Sequence, residues 1–170
     1  IPSELSMTRD GRNIIDMIEI EDGRITLVDY KTWGSYKIVK ALGIVEGGKH
    51  PDPSGEVYKS SGKWGKAGSP KMINVFQQMP LSADNYETEL QLNRYRIKLE
   101  ESGFTADRMI VHAIVRDGGL AIAKSRGVER NTYIIPIKRL DDNWVNEYFR
   151  QKAEELQSAL KQGGWDKPCD

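Results

Sequence analysis

Two aspartates and a lysine carry the sharpest chemical signal in this chain. Asp16 ends the apolar run Asn13-Ile14-Ile15-Asp16, near the middle of a first strand. Asp29 and Lys31 close a second run, Thr26-Leu27-Val28-Asp29-Tyr30-Lys31-Thr32. Glu21-Asp22-Gly23-Arg24 between them holds the Asp-Gly pair of a tight hairpin turn. Paired as a hairpin, the strands make Asp16 and Asp29 neighbours. Asp29 and Lys31, two apart, project to the same face. Carboxylate oxygens are hard ligands for Mg²⁺ or Mn²⁺, which polarises a phosphate and acidifies a bound water. A lysine beside them orients that water and stabilises the charge that builds on the phosphate. The backbone carbonyl of Tyr30 is a further candidate ligand. The set suits metal-assisted hydrolysis of a phosphodiester. Asp29-Tyr30-Lys31 alone is worth little, since chance supplies on the order of one such tripeptide.

The elements that must position these groups are legible in outline. Residues 3–8 read as a strand, with a turn at Arg9-Asp10-Gly11, and residues 13–20 and 25–31 read as the hairpin strands. Residues 43–70 are rich in Gly, Lys, Ser and Pro with no lasting period, as in a long loop or insertion. Residues 72–79 fit a short strand or a helix equally well. Residues 85–102 predict a helix: Pro80 and Asp84 precede it, Glu87 and Glu89 suit its first turn, and Gly103 stops it. Tyr86, Leu90, Leu92, Tyr95 and Leu99 supply much of its buried surface. Residues 108–116 and 132–138 predict strands, Pro136 marking the latter as an edge or bulged strand. Asp141 or Asp142 caps a last helix over about 142–161, ended by Gly163-Gly164. Its stripe of Trp144, Val145, Tyr148, Phe149, Leu156 and Leu160 is expected to face the core. The order β-β-β, insertion, α-β-β-α gives an α/β (α+β) fold with a central mixed sheet flanked by helices.

With the elements in place, the chain resembles the PD-(D/E)XK nuclease superfamily, and within it the RecB-like and Cas4-like branch. Gly11, then Asp16, then Leu27-Val28-Asp29-Tyr30-Lys31-Thr32 match its strand motifs. Gln91-Leu92-Asn93-Arg94-Tyr95 matches the Q-x-x-x-Y motif of the following helix. Gln91 and Tyr95 are i and i+4 and share a helix face. The resemblance covers about residues 4–32 and 85–160 and implies a restriction-endonuclease-like core in one domain, with an insertion at about 37–80. It further implies a Mg²⁺- or Mn²⁺-dependent DNA nuclease of the exonuclease type used in repair, recombination, phage or CRISPR-associated systems. Asp16, Asp29 and the Tyr30 carbonyl are then the metal ligands, and Lys31 the catalytic lysine. Gln91 and Tyr95 support the site and touch DNA. Two departures stand out. Many members bring a His or Glu on a helix upstream of the first strand, and this sequence starts too late to show one, Glu4 being the candidate stand-in. Gly164 to Cys169 resembles the approach to a C-terminal cysteine group, but one cysteine cannot hold an iron–sulfur cluster.

Bulk composition bounds the rest. The 170 residues carry 25 Lys and Arg against 25 Asp and Glu, so net charge gives no long-range pull on nucleic acid. The distribution is uneven: residues 31–71 hold eight lysines (31, 37, 40, 49, 59, 63, 66 and 71) and only Glu46, Asp52 and Glu56 as acids. Trp33, Tyr36, Tyr58 and Trp64 are interleaved with them. Such a segment is either a solvated loop or a grip on a nucleic-acid backbone with aromatics for stacking, Lys37 and Lys40 being candidate contacts. Gly62 to Ser69 lacks the spacing of a phosphate-binding loop and the strand before it. His112 reads as a satisfied core histidine and His50 as a solvated one. No run spans a bilayer, no signal peptide opens the chain, and the single Cys169 excludes an internal disulfide, so a cytoplasmic location is expected. A start at Ile1 and an abrupt end read as a fragment. The expected partners are DNA ends and a helicase or recombination protein, with no membrane. The alternative is a non-catalytic nucleic-acid-binding or scaffold module on a nuclease-like fold, and a third reading is a phosphate-ester hydrolase acting on small nucleotides.

Overall fold

Glu21 pairs with Arg24 across a two-residue turn in which Asp22 and Gly23 take φ of +49° and +76°. Two successive left-handed residues have the twist that a tight antiparallel hairpin needs, and Gly23 adopts that conformation without a Cβ penalty. The computed structural model describes residues 15–161. Its elements are β1 (Met17–Glu21), β2 (Arg24–Trp33), α1 (Ser35–Leu42), β3 (Ile44–Pro51), β4 (Met72–Gln78), α2 (Tyr86–Glu101), β5 (Arg108–Val115), α3 (Ala121–Lys124), β6 (Thr132–Pro136) and α4 (Asp142–Lys161), with a 3₁₀ turn at Pro80–Ser82.

A four-stranded sheet has the order β1-β2-β5-β6. β1 runs antiparallel to β2. β5 runs parallel to β2, since Asp107 N–H donates to Ile25 O and Arg116 N–H to Trp33 O, both at 2.8 Å. Val115 N–H to Asn131 O at 2.8 Å and Ile137 N–H to Met109 O at 2.9 Å set β6 antiparallel to β5. The sheet is therefore mixed, as expected. β6 lies at its edge, where Pro136 costs no ladder hydrogen bond.

The chain divides into two compact units. The first comprises residues up to Asp29, Tyr86–Val111 and the chain from Pro136 onward. Leu27, Leu92, Leu99, Val111 and Val145 form its core. Arg96, wholly buried in α2, ties α2 to the start of α4. Its guanidinium donates to Asn93 Oδ1, Glu100 Oε2, Leu140 O and Asp142 Oδ1. Asn93 completes the network with Nδ2 donating to Lys138 O and Oδ1 accepting from Leu140 N–H. Asp141 caps α4 by accepting Trp144 N–H at 2.9 Å.

The second unit comprises Tyr30–Asn85 and His112–Ile135. Its helix α1 is capped from a distance: Asp117 accepts both the N–H and the hydroxyl of buried Ser35, each at 2.6 Å. That hydroxyl bond holds the Asp117 carboxyl below the usual carboxylate range. Gly43 ends α1 in the left-handed region at φ +64° and passes the chain into β3. β3 and β4 form an antiparallel ribbon running from Ile44↔Gln78 to Pro51↔Met72, with a register shift between Glu46 and Lys49.

Several expectations need correction. Residues 43–70 are not a structureless loop. Residues 44–51 pair with 72–78, so the ladder's hydrogen bonds hold a segment whose composition reads as loop, and 72–79 resolves as strand. Asp16 is in a bend before β1 and not in a strand. The α4 stripe does not face the core throughout: Val145 is buried and Tyr148 and Phe149 half-buried, but Trp144, Leu156 and Leu160 are exposed. Among the described residues no element covers the second half of the helix, whose residues 150–161 are exposed all round. His112 is half-buried on the outward side of β5, between buried Val111 and Ala113, and so is not a core histidine. Tyr86, counted on for burial in α2, is exposed. The expected strand at 3–8, the turn at 9–11, Glu4, the Gly163-Gly164 stop and Cys169 lie outside the described residues.

Candidate functional site

The hairpin register fixes the candidate carboxylates. Met17 pairs with Val28 at the end of the ladder, so Asp16 and Asp29 are the next residues along the two chains, with Asp16 in the bend just outside the strand. Asp29 is 3% exposed, whereas Asp16 is exposed. Lys31, half-buried, follows two positions along β2. Between them Tyr30 turns to the other face, where its ring meets His112 edge-on with centroids 5.5 Å apart.

Gln91 and Tyr95 are brought together by one turn of α2, the Gln91 amide donating to the Tyr95 hydroxyl at 3.0 Å. Both line a groove of about 640 Å³ between α2 and α4, together with Arg94, Tyr148, Phe149 and Lys152. Asp16 and Asp29 are not part of its wall. The Arg94 guanidinium lies over the Phe149 ring at 4.3 Å. Arg94 and Lys152 escaped the sequence reading, although Gln91, Arg94 and Tyr95 follow the i, i+3, i+4 spacing of a shared helix face.

Lys37 and Lys40 do not belong to an insertion loop. They sit on α1, an element the sequence reading missed, and each covers an aromatic ring: Lys37 over Trp33 at 5.7 Å and Lys40 over Tyr36 at 5.2 Å. The missed signal was Ser35, Ile38 and Ala41, which recur at helical spacing and are all buried. Gly43 behind them is the stop.

Among the described residues no cluster of three or more His, Cys, Asp or Glu side chains forms a ready metal cage. The donors expected at the hairpin are two carboxylates and a backbone carbonyl. That chemistry fits Mg²⁺ or Mn²⁺, ions commonly held by one or two carboxylates together with substrate phosphate. Comparison of the chain with protein-family models, with curated proteins and with solved structures gives no match. Among the described residues no helix is long and apolar enough to cross a membrane.

Proposed function

We propose that this chain is a metal-dependent DNA nuclease with a restriction-endonuclease-like core, of the RecB-like kind its motifs resemble. The observation that supports the reading is the β1–β2 register, whose last pair, Met17–Val28, leaves Asp16 and Asp29 as the next residue on each side, with Lys31 two residues further on. Asp16, Asp29 and the Tyr30 carbonyl would hold Mg²⁺ or Mn²⁺. A bound ion of this kind supplies Lewis acidity at the scissile phosphate and a more acidic water.

The chain's own residues do the rest. Burial of Asp29 on a central strand limits its rotamers and fixes the direction of its carboxylate. Lys31 directs its ammonium to the same face, where it orients the attacking water and stabilises the pentavalent phosphate. The Gln91–Tyr95 pair presents a polar surface on α2 to the nucleic-acid strand. The products are a 3′ and a 5′ end, one carrying the phosphate.

The test is cleavage of end-labelled linear and circular DNA in Mn²⁺ by wild type, Asp29→Ala and Lys31→Ala. Each variant is expected to lose about 10²-fold or more in rate with an unchanged circular-dichroism spectrum. Undiminished cutting by both would sink the assignment. Degradation of linear DNA with circular DNA untouched identifies an exonuclease.

A further inference from the structure

The tip of the β3–β4 ribbon is a built surface outside every residue that carries the nuclease resemblance. Residues 57–70 contain Lys59, Lys63 and Lys66 and no Asp or Glu. All three lysines are exposed, and among the described residues no carboxylate pairs with them. The ribbon's Lys71, by contrast, is tied to Glu56. Between the lysines stands Trp64, 77% exposed, with the Lys63 ammonium 5.5 Å from its ring centre. Leaving so large an apolar ring in water at the end of an arm has no packing purpose.

The tip is ordered by its own contacts. Tyr58 N–H donates to Ser69 O at 2.9 Å and Gly68 N–H to Tyr58 O at 2.8 Å. Gly62 and Gly65 exchange hydrogen bonds across a bridge. Ala67 N–H donates to the Ser61 hydroxyl at 3.0 Å, and the Ser69 hydroxyl to Lys66 O at 2.7 Å. The Tyr58 ring seats against Gly65, where a Cβ would collide with it. A tip already folded loses less entropy when a ligand binds.

We infer that this tip binds single-stranded DNA, Trp64 stacking on a base and Lys59, Lys63 and Lys66 contacting the phosphates. A net-positive surface selects a polyanion, and an indole flanked by ammoniums matches one with alternating charge and aromatic faces. In a duplex the base faces are stacked on one another and closed to the indole, which favours the single strand. The inference rests on the nuclease reading only for the choice of DNA among nucleic acids, and it gives that reading a strand-holding arm.

The test is fluorescence anisotropy of a short labelled oligothymidylate with the full chain in EDTA. Trp64→Ala is expected to weaken binding by about 5- to 100-fold with the salt dependence unchanged. The Lys59→Ala, Lys63→Ala, Lys66→Ala triple variant is expected to weaken it about tenfold or more at low salt. It should also lower the slope of log affinity against log salt by about 2, at about 0.7 per lost phosphate contact. The corresponding triple arginine variant retains both affinity and slope. Wild-type affinity in the tip variants overturns the inference. So does tighter tip-dependent binding of a duplex of the same length, or tip-dependent capture by phosphatidylserine vesicles without oligonucleotide binding. Cleavage in Mn²⁺ is followed in parallel. Tip-dependent binding without cleavage defeats the nuclease reading and leaves the arm, and cleavage with tip-independent binding defeats only the arm.

Discussion

Asp16 and Asp29 are the residues that follow the Met17–Val28 pair at which the β1–β2 ladder stops. Without a cation, two carboxylates at the end of one hairpin ladder repel each other. With a cation the same pair becomes an asset.

Thermal unfolding separates the two states without reference to catalysis. In EDTA, Asp16→Asn is expected to leave the melting temperature unchanged or raise it slightly. Saturating Mn²⁺ should stabilise the wild type, by about 2.7 kcal/mol at a hundred times the dissociation constant. Asp29→Asn should abolish that gain. A wild-type melting temperature indifferent to Mn²⁺ and Mg²⁺ contradicts the metal assignment.

Arg96 is the most consequential buried polar group of the first unit. Burial opposes its charge, but the Asp142 and Glu100 carboxylates more than offset that, and the guanidinium is held protonated. Arg96→Ala leaves a cavity and strips Asn93 and Leu140 O of their donor, and is expected to cost about 3–5 kcal/mol. Asp142→Asn should cost under about 1 kcal/mol, because the Asp142 side chain is 52% exposed and screened by water. Urea titration of the two variants checks the ranking.

The exposed half of α4 carries its own acid sensitivity. Arg150 and, after it, Gln151 bond to Glu147 and hold its carboxyl at about 2, down from 4.5. A carboxyl depressed in the folded state contributes in full above 4.5 and loses its contribution as pH falls from there towards 2. Far-UV ellipticity should therefore decline more in that window for wild type than for Glu147→Gln. The difference should shrink at high salt. Equal declines would mean the ion pair does not support the helix.

The stripe of α4 divides into a packed and an unpacked part, and substitutions should reveal the division. Val145→Ala, at a fully buried position, is expected to cost about 2 kcal/mol. Leu156→Ser, at a position 61% exposed, should change stability by less than about 0.5 kcal/mol. A large loss from Leu156→Ser in a chemical melt would indicate a covered face.

The parts of this fold legible in the sequence are those where local chemistry and tertiary demand agree. Asp22-Gly23 has one comfortable turn, and that turn sets the register of the carboxylates. Gly103 at φ +91° ends α2 where a glycine stop was expected. The β3–β4 ribbon was illegible because its strands, Ile44 to Pro51 above all, are exposed on both faces and carry no alternation. Its stability comes from the ladder, which composition does not encode. Helix α1 hid for a related reason: Lys37 and Lys40 read as loop charges, and the Asp117 cap that starts the helix lies 82 residues away in sequence. For Gln91 and Tyr95, the i, i+4 spacing put them on one helix face, but nothing in the spacing told that they would bond to each other and line a groove with α4.

The two-residue turn makes the chain between Asp16 and Asp29 a counted length. Exposed Glu19 and Ile20 can change without altering the count. One residue gained or lost anywhere in that segment shifts the pairing by one and puts Asp16 out of step with Asp29. Relatives of this chain that keep its chemistry are thus expected to vary in letters along the hairpin and not in length.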